Sequence, residues 1–227
     1  MRAFVLARLS RLKKIQIDMK NNNFLGWAFC TALIGFCSAT MNADPIVFDF
    51  KDPKKVNNAL FLLDAPLESI AGTATGISGT ISFDPEKPSV TKGMIVLDAS
   101  TLHVDNPVMK KHMLDKGWMD VASHPKIQFV AESLTNIKVN SSKIQAKAVG
   151  KFSIKGVTKK VTVPVTLTFL KGMLVKRNRV PGDLLVLRSD FKIKRSDYGI
   201  NSGNNEEKVS DEIEIKLRVA GAAPTGK

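Results

Sequence analysis

Side chains that could bind a soft metal ion cluster on one predicted short helix. Met109, His112 and Met113 stand three and four residues apart, which places two thioethers and an imidazole on one helix face, as a copper site would require. The other two histidines, His103 and His124, follow no fixed spacing. Methionines at helical spacing are more often core residues than ligands, so we predict no metal site.

A polar cluster in the segment KRSDYGIN is the best candidate for acid–base chemistry. It combines Arg195, Asp197 and Tyr198 with a following glycine that favours a turn, so structural hydrogen bonds explain it as well as catalysis does. Asp211 lies on the apolar side of the last predicted strand and needs a partner or solvent there. The sequence has no G-x-S-x-G elbow, no H-E-x-x-H motif and no phosphate-binding loop. We therefore predict that the protein is not an enzyme.

The elements that must position these groups are mostly strands, and residues 143–169 indicate this most clearly. Apolar residues alternate there with lysine and other polar residues, both before and after a turn at Gly156. A period of two places one face against a core and the other in water. The apolar face of this hairpin carries Ile144, Ala146, Ala148, Phe152, Ile154, Val161, Val163, Val165, Leu167 and Phe169.

The same reasoning predicts an all-β domain with one helix. Asn106 is a suitable N-cap before a proline at the first helical position, and Gly117 suits the position after the helix end. Several strands of similar length with turns between them indicate a closed antiparallel barrel or a sandwich. The further strands are predicted at residues 46–50, 70–84, 90–102, 126–134, 184–194 and 209–219.

The N-terminal part of the chain has the pattern of an export signal. Residues 24–37 form an uncharged apolar run after a basic stretch, and this run is shorter than the ~20 residues of a membrane-spanning helix. We predict a signal peptide at residues 1–43, cleaved after Ala39 or Ala43, with Met19 as an alternative start. An uncleaved N-terminal anchor is the other interpretation. Both cysteines lie in this segment, so an exported domain would have no disulfide and would be periplasmic or secreted.

The remainder is predicted to be one domain at residues 44–220 with a flexible tail at residues 221–227. The net charge of +13 includes the basic leader, and the other lysines lie mostly on the polar faces of strands. Nucleic-acid binding favours clustered basic residues with stacking aromatics, so we predict no nucleic-acid partner. The moderate basicity is compatible with a transient contact with an anionic membrane surface. The sequence does not decide between a monomer and a homodimer.

The segment GKFSIKGVTKKVTVPV at residues 150–165 resembles the signature of the YceI-like, polyisoprenoid-binding proteins. Three further blocks, at residues 112–133, 193–201 and 209–217, follow in the order of that family. The resemblance implies an eight-stranded antiparallel lipocalin-like barrel with one short helix. It also implies export to the periplasm and a long apolar ligand such as a polyisoprenoid.

The lumen of an eight-stranded barrel is just wide enough to be filled by side chains or to hold one small ligand. Ala131, Ala146 and Ala148 lie on apolar faces between larger residues, which predicts that parts of the lumen are open. The protein would then sequester or carry its lipid in the lumen. The alternative is a non-enzymatic structural or stress-response protein whose barrel is packed solid.

The only small molecule that we expect to be bound is an isoprenoid-type lipid; no other cofactor is predicted. Trp118 and Met119, just after the helix, are the candidates for a lid at the mouth or for a cap that seals the core. The predicted lipid contacts, in the lumen or at its mouth, are Phe129, Ala131, Ala146, Ala148, Phe152, Val163, Val165, Phe191, Ile213, Trp118 and Met119.

Overall fold

The computed structural model of the chain describes residues 44–201 and 203–225. The predicted signal peptide at residues 1–43, with its cleavage sites and its alternative start, lies outside the described residues. Within the described ranges, no helix is both long enough and apolar enough to cross a membrane.

The described residues form ten strands and two short α-helices, with three short 3₁₀ helices at Pro88–Val90, Ala99–Thr101 and Ser196–Tyr198. The strands are β1 (Ile46–Asp49), β2 (Asn58–Asp64), β3 (Ser69–Ala74), β4 (Ile77–Phe83), β5 (Lys92–Asp98), β6 (Lys126–Asn140), β7 (Lys143–Ile154), β8 (Val157–Leu170), β9 (Gly182–Lys194) and β10 (Glu212–Pro224). The α-helices are α1 (Pro107–Leu114) and α2 (Leu174–Asn178).

Eight of these strands close into an antiparallel barrel, which confirms the predicted fold class. Their order is β1, β4, β5, β6, β7, β8, β9 and β10, and β10 returns to β1 through the pair Asp49–Ala222. The other two strands form a hairpin in which β2 pairs with residues 214–218 of β10 and β3 pairs with β2. The outer side of this hairpin is fixed by a bridge between Thr73 and His103.

The β7–β8 hairpin turns on two residues with positive φ, Lys155 at 49° and Gly156 at 76°. Two successive left-handed residues form the mirror-image turn whose twist matches antiparallel strands. A side chain at position 156 would also collide with His124, because an added Cβ would lie 2.8 Å from Cε1 of its ring. This glycine therefore sets the register that brings the apolar faces of β7 and β8 together.

Several element boundaries differ from those predicted. The strand expected at residues 70–84 is two strands, because the chain turns at Gly76, whose N–H donates to the hydroxyl of Thr101 rather than to a neighbouring strand. The strand expected at residues 126–134 continues as β6 to residue 140 through two bulges. Helix α2 was not predicted, since five residues are too few to leave a helical period.

The last strand also runs further than predicted. β10 pairs with β9 through Pro224, so residues 221–224 belong to the sheet where a flexible tail was expected. Small residues permit this extension. Gly221 lies against the ring of Phe50, and an added Cβ there would come within 2.6 Å of the ring.

The predicted helix is confirmed at its start. The side-chain oxygen of Asn106 accepts hydrogen bonds from the N–H groups of Val108 and Met109 at 2.9 and 3.1 Å. The helix ends at Leu114, earlier than the end expected just before Gly117, because Asp115 adopts an extended conformation with φ −69° and ψ 165°. None of the residues of α1 is fully buried, so the helix lies at one end of the barrel.

The barrel interior is packed solid at the opposite end. Phe48, Phe83 and Phe169 meet there in edge-on or tilted contacts, with ring centroids between 6.0 and 6.4 Å apart. The buried side chains of Ile144 and Leu185 belong to the same core. We call the three phenylalanines the aromatic floor, because they close the lumen at this end.

Candidate ligand cavity

A cavity of about 430 Å³ lies above the aromatic floor. Its wall is made by side chains of seven of the eight barrel strands, all except β1. Three segments surround its outer end, namely α1, the β2–β3 hairpin and residues 205–209, and we call them the rim. The polar residues of the rim include Glu68, His112 and Lys208, so charged groups lie at the outer end and apolar groups inside.

Ten of the eleven predicted contact residues line this cavity. Ala146 does not: it is buried among the core residues near the aromatic floor. Both Ala146 and Ala148 face inward from β7, but Ala146 lies two residues, about 7 Å, closer to the aromatic floor. The ten that line the cavity are Phe129, Ala131, Ala148, Phe152, Val163, Val165, Phe191, Ile213, Trp118 and Met119. That these residues contact a lipid stays a prediction.

Residues that the sequence did not single out reach the cavity from the β2–β3 hairpin and from β5. Leu60, Phe61 and Ile70 belong to the hairpin, and the apolar run NALFLLD was the signal that could have identified it. In β5, the apolar residues Met94 and Val96 alternate with the apolar residues Ile95 and Leu97, so the sequence pattern does not distinguish the inward face. The structure packs Ile95 and Leu97 against the core.

Arg195 is fully buried beside the cavity and holds the segment that forms part of the rim. Its guanidinium donates four hydrogen bonds of 2.7–2.9 Å to backbone carbonyls, those of Ser210, Ile200, Asn201 and Val209. Burial lowers the pKa of this group from its ordinary value, against the opposing charges of nearby acids. Arg195 therefore ties both ends of residues 200–210 to the barrel.

Trp118 covers this buried charge. Its ring centroid lies 5.3 Å from the guanidinium carbon of Arg195, within the range of a cation–π contact. The same indole lines the cavity. Trp118 thus connects the cavity wall to the arginine that holds the rim segment. Its roles as a lid or as a cap stay predictions, and either role would involve this contact with Arg195.

The other members of the KRSDYGIN cluster make structural contacts. Asp197 forms an ion pair with Lys159, and this pair connects β8 to the turn after β9. Tyr198 is buried against Phe152, with ring centroids 5.9 Å apart. Burial raises the pKa of Tyr198, and the charge of Asp197 adds to the effect. These contacts support the interpretation of the cluster as structural.

Asp211 closes the same turn from the first residue before β10. Its two carboxylate oxygens accept from the N–H and the hydroxyl of Ser196 at 2.8 and 2.9 Å. Partial burial acts to raise the pKa of Asp211, but these bonds and the charges of Arg195 and Lys194 outweigh it. The pKa of Asp211 therefore lies below its ordinary value of 3.8.

We expect Asp211→Asn to remove part of the acid sensitivity of the fold. Because the folded pKa is lowered, the carboxylate stabilises the fold fully above pH 3.8, and this contribution is lost as the pH falls through the folded pKa. The variant should be less stable than the wild type in urea unfolding at neutral pH. The difference should shrink as the pH falls below 3.8, and an unchanged difference would contradict the assignment.

The three candidate metal ligands on α1 lie together, apart from His103. Met109, His112 and Met113 line the cavity near its outer end, while His103 contacts Asp105 at 3.7 Å on the other side of the rim. Among residues 44–201 and 203–225, no three His, Cys, Asp or Glu side chains lie close enough to hold a metal ion. The lack of a metal role stays a prediction.

The buried hydroxyl groups of the cavity wall are already satisfied by the protein. The hydroxyl of Thr91 donates to the carbonyl of Pro88 at 2.6 Å, and that of Ser189 donates to the carbonyl of Pro164 at 2.6 Å. Throughout the described ranges, every buried side-chain nitrogen or oxygen has a hydrogen-bond partner. The interior therefore suits a ligand that needs no polar contact there.

A family model described as the YceI-like domain matches residues 55–220. A UPF0312 protein of Pseudomonas savastanoi pv. phaseolicola is 33% identical over 97 residues, which are 43% of this chain and 48% of that protein. A UPF0312 protein of Yersinia pestis is 25% identical over 152 residues, or 66% of this chain and 72% of that protein. The chain thus spans about half the length of the first of these curated relatives.

Solved structures share the barrel at low sequence identity. BcnA of Burkholderia cenocepacia is 21% identical with a TM-score of 0.60, covering 72% of this chain and 95% of that one. A polyisoprenoid binding domain from Saccharophagus degradans, implicated in plant cell wall breakdown, is 12% identical with a TM-score of 0.59, covering 79% of this chain and 99% of that one. At such identities the likeness shows a shared fold.

Proposed function

The chain belongs to the YceI-like family, and from that premise we propose that it binds an apolar isoprenoid-type lipid inside its barrel. It would sequester or carry this lipid without catalysing a reaction on it. The lipid chain would lie in the cavity above the aromatic floor, with its end at the rim.

One observation carries the proposal, namely the cavity of about 430 Å³ with apolar walls. Burial gains about 0.8 kcal/mol for each methylene group taken from water, so a long chain gains affinity through its length alone. This gain must exceed the cost of association, roughly 4–15 kcal/mol, which favours an extended ligand over a small one. The name of the Saccharophagus domain, whose fold this chain shares, supports an isoprenoid as that ligand.

The alternative of a solidly packed barrel describes only one end of the molecule. Phe48, Phe83 and Phe169 fill the lumen there, whereas a cavity of about 430 Å³ lies above them. Ala131 and Ala148 line this open part, and their small side chains leave space there. A protein with a purely structural role would gain stability by filling this space.

Retinol, a fluorescent isoprenoid, offers a direct test of binding. We expect saturable enhancement of retinol fluorescence with one site per chain, and displacement of retinol by geranylgeraniol. Palmitate serves as a comparison, because equal displacement by palmitate would widen the ligand class to apolar chains in general. A signal that does not saturate would contradict the proposal.

We further propose that the protein works in the periplasm or outside the cell, in transient contact with membrane surfaces. The apolar run at residues 24–37 supports this location, and the net charge of +8 in residues 44–227 (28 Lys and Arg against 20 Asp and Glu) supports the membrane contact. Cell fractionation tests the location, since the protein should appear with periplasmic or secreted markers. Recovery with cytoplasmic markers would contradict it.

A further inference from the structure

The barrel wall has a seam between β8 and β9. Residues 166–170 of β8 pair with residues 184–188 of β9, and the ladder ends there. Beyond this point, residues 157–165 and 189–194, all within the described ranges, run on without ladder pairs between them. Each remains fully paired on its other side, with β7 and β10 respectively. We call this unpaired stretch the β8–β9 seam.

The seam begins at Pro164 for a chemical reason. The carbonyl of Pro164 accepts the hydroxyl of Ser189, so it faces β9. The N–H and C=O of a strand residue point to the same side, and proline has no N–H, so the β9 side of position 164 lacks a donor. The ladder therefore stops at the pair Thr166–Arg188, and a side-chain bond from Ser189 to Pro164 follows it.

The seam is also a wall of the cavity. Val163 and Val165 line the cavity from β8, and Ser189, Phe191 and Ile193 line it from β9. Between the two strands the cavity is thus enclosed by side-chain contacts instead of backbone hydrogen bonds. Regions of a fold with few backbone bonds open at the lowest free-energy cost.

The other weakly paired junction of the barrel differs from the seam. β1 and β10 share one ladder pair, but the amide of Asn57 bridges them by donating to the carbonyls of Phe50 and Ala220. This junction involves β1, which does not line the cavity. Opening it would expose the packed core rather than the lumen.

The rim is braced by backbone hydrogen bonds. The N–H of Leu67 in the β2–β3 hairpin donates to the carbonyl of Glu207 at 2.9 Å. Helix α1 is fixed to the segment after it by the bond from Met119 to Met113 at 3.1 Å. The rim therefore holds its shape more firmly than the seam does.

We propose that the β8–β9 seam is the lateral entrance through which an elongated apolar chain enters and leaves the cavity. This inference rests on the proposed lipid binding. Separation of β8 from β9 along the seam breaks the bond from Ser189 to Pro164, the ion pair between Lys159 and Asp197, and apolar contacts, and it exposes the lumen beside them. A chain could then enter sideways without being threaded over the rim.

Pro164→Val tests the seam, because valine restores the missing N–H and favours a strand. Stopped-flow mixing with retinol should show association and release both slowed about tenfold, as expected if one more backbone pair must break. The equilibrium affinity should stay unchanged. Pro224→Val, at the paired end of β10, is the matched control and should leave both rates unchanged.

Ser189→Ala provides the opposite test and should speed both rates by removing the bond to Pro164. If the wild type does not bind retinol, both the proposed function and the seam entrance are wrong. If the wild type binds but neither Pro164→Val nor Ser189→Ala changes the rates, only the seam entrance is wrong. Should Pro164→Val fail to fold, the Ser189→Ala rates alone decide.

Discussion

Arg195→Ala should lower the free energy of unfolding by about 3–5 kcal/mol, because it leaves four carbonyl oxygens without their donor. Each buried acceptor left unsatisfied costs roughly 1–3 kcal/mol, and residues 200–210 would recover part of this by opening to water. Removing the guanidinium also removes the cation–π contact with Trp118. Urea unfolding at neutral pH measures the loss.

A second variant separates the effect of the forked guanidinium of Arg195 from the effect of its charge, and a third serves as the control. Arg195→Lys keeps the charge but offers a single ammonium group, which cannot reach four carbonyls on two sides, so it should recover less than half of the loss. Lys147→Ala removes an exposed cation from the outer face of β7 and is the control. A loss below ~1 kcal/mol for Arg195→Ala would mean that the rim does not depend on this residue.

Ala148→Phe should abolish lipid binding while leaving the barrel folded. Ala148 lines the cavity, so a phenyl ring there occupies the space that the ligand chain would fill. We expect the affinity for retinol to fall by at least about tenfold, since a blocked lumen buries fewer methylenes. The unfolding free energy should change little, because the ring enters open space.

Ala146→Phe is the matched variant from the same face of the same strand. Ala146 packs in the core near the aromatic floor, so the larger ring overpacks it and should cost about 1–3 kcal/mol of stability. Retinol binding should persist in the fraction that remains folded. If the two variants lost affinity and stability alike, the division of the lumen into a packed end and an open end would be wrong.

Strand alternation and the family-like motifs were sufficient to predict the barrel. They were not sufficient to predict how far along the barrel axis each inward residue lies, and so which residues meet the open cavity. Alternation tells which face of β7 is inward, but Ala146 and Ala148 share that face, and which of them meets open space depends on how far the aromatic floor fills the lumen. Two phenylalanines of that floor, Phe48 and Phe83, come from β1 and β4, far away in sequence.

Features that depend on pairing between distant strands were also missed. The β2–β3 hairpin lies beside β10 because β1 occupies only the last part of that edge, a competition that no local pattern reveals. Pro164 was a visible signal within a strand, since proline interrupts ladders. Its consequence depends on which neighbour it faces, and the bond from Ser189 identifies that neighbour as β9.

The presence of lipid in the protein as isolated is the most direct measure of the central claim. Native mass spectrometry of the purified protein should show an added mass of one lipid per chain, and an organic extract should yield an isoprenoid or related apolar chain. The same preparation of Ala148→Phe should carry none. The account would be contradicted if the wild-type protein had the mass of the polypeptide alone, its extract contained no lipid, and it took up none when incubated with geranylgeraniol.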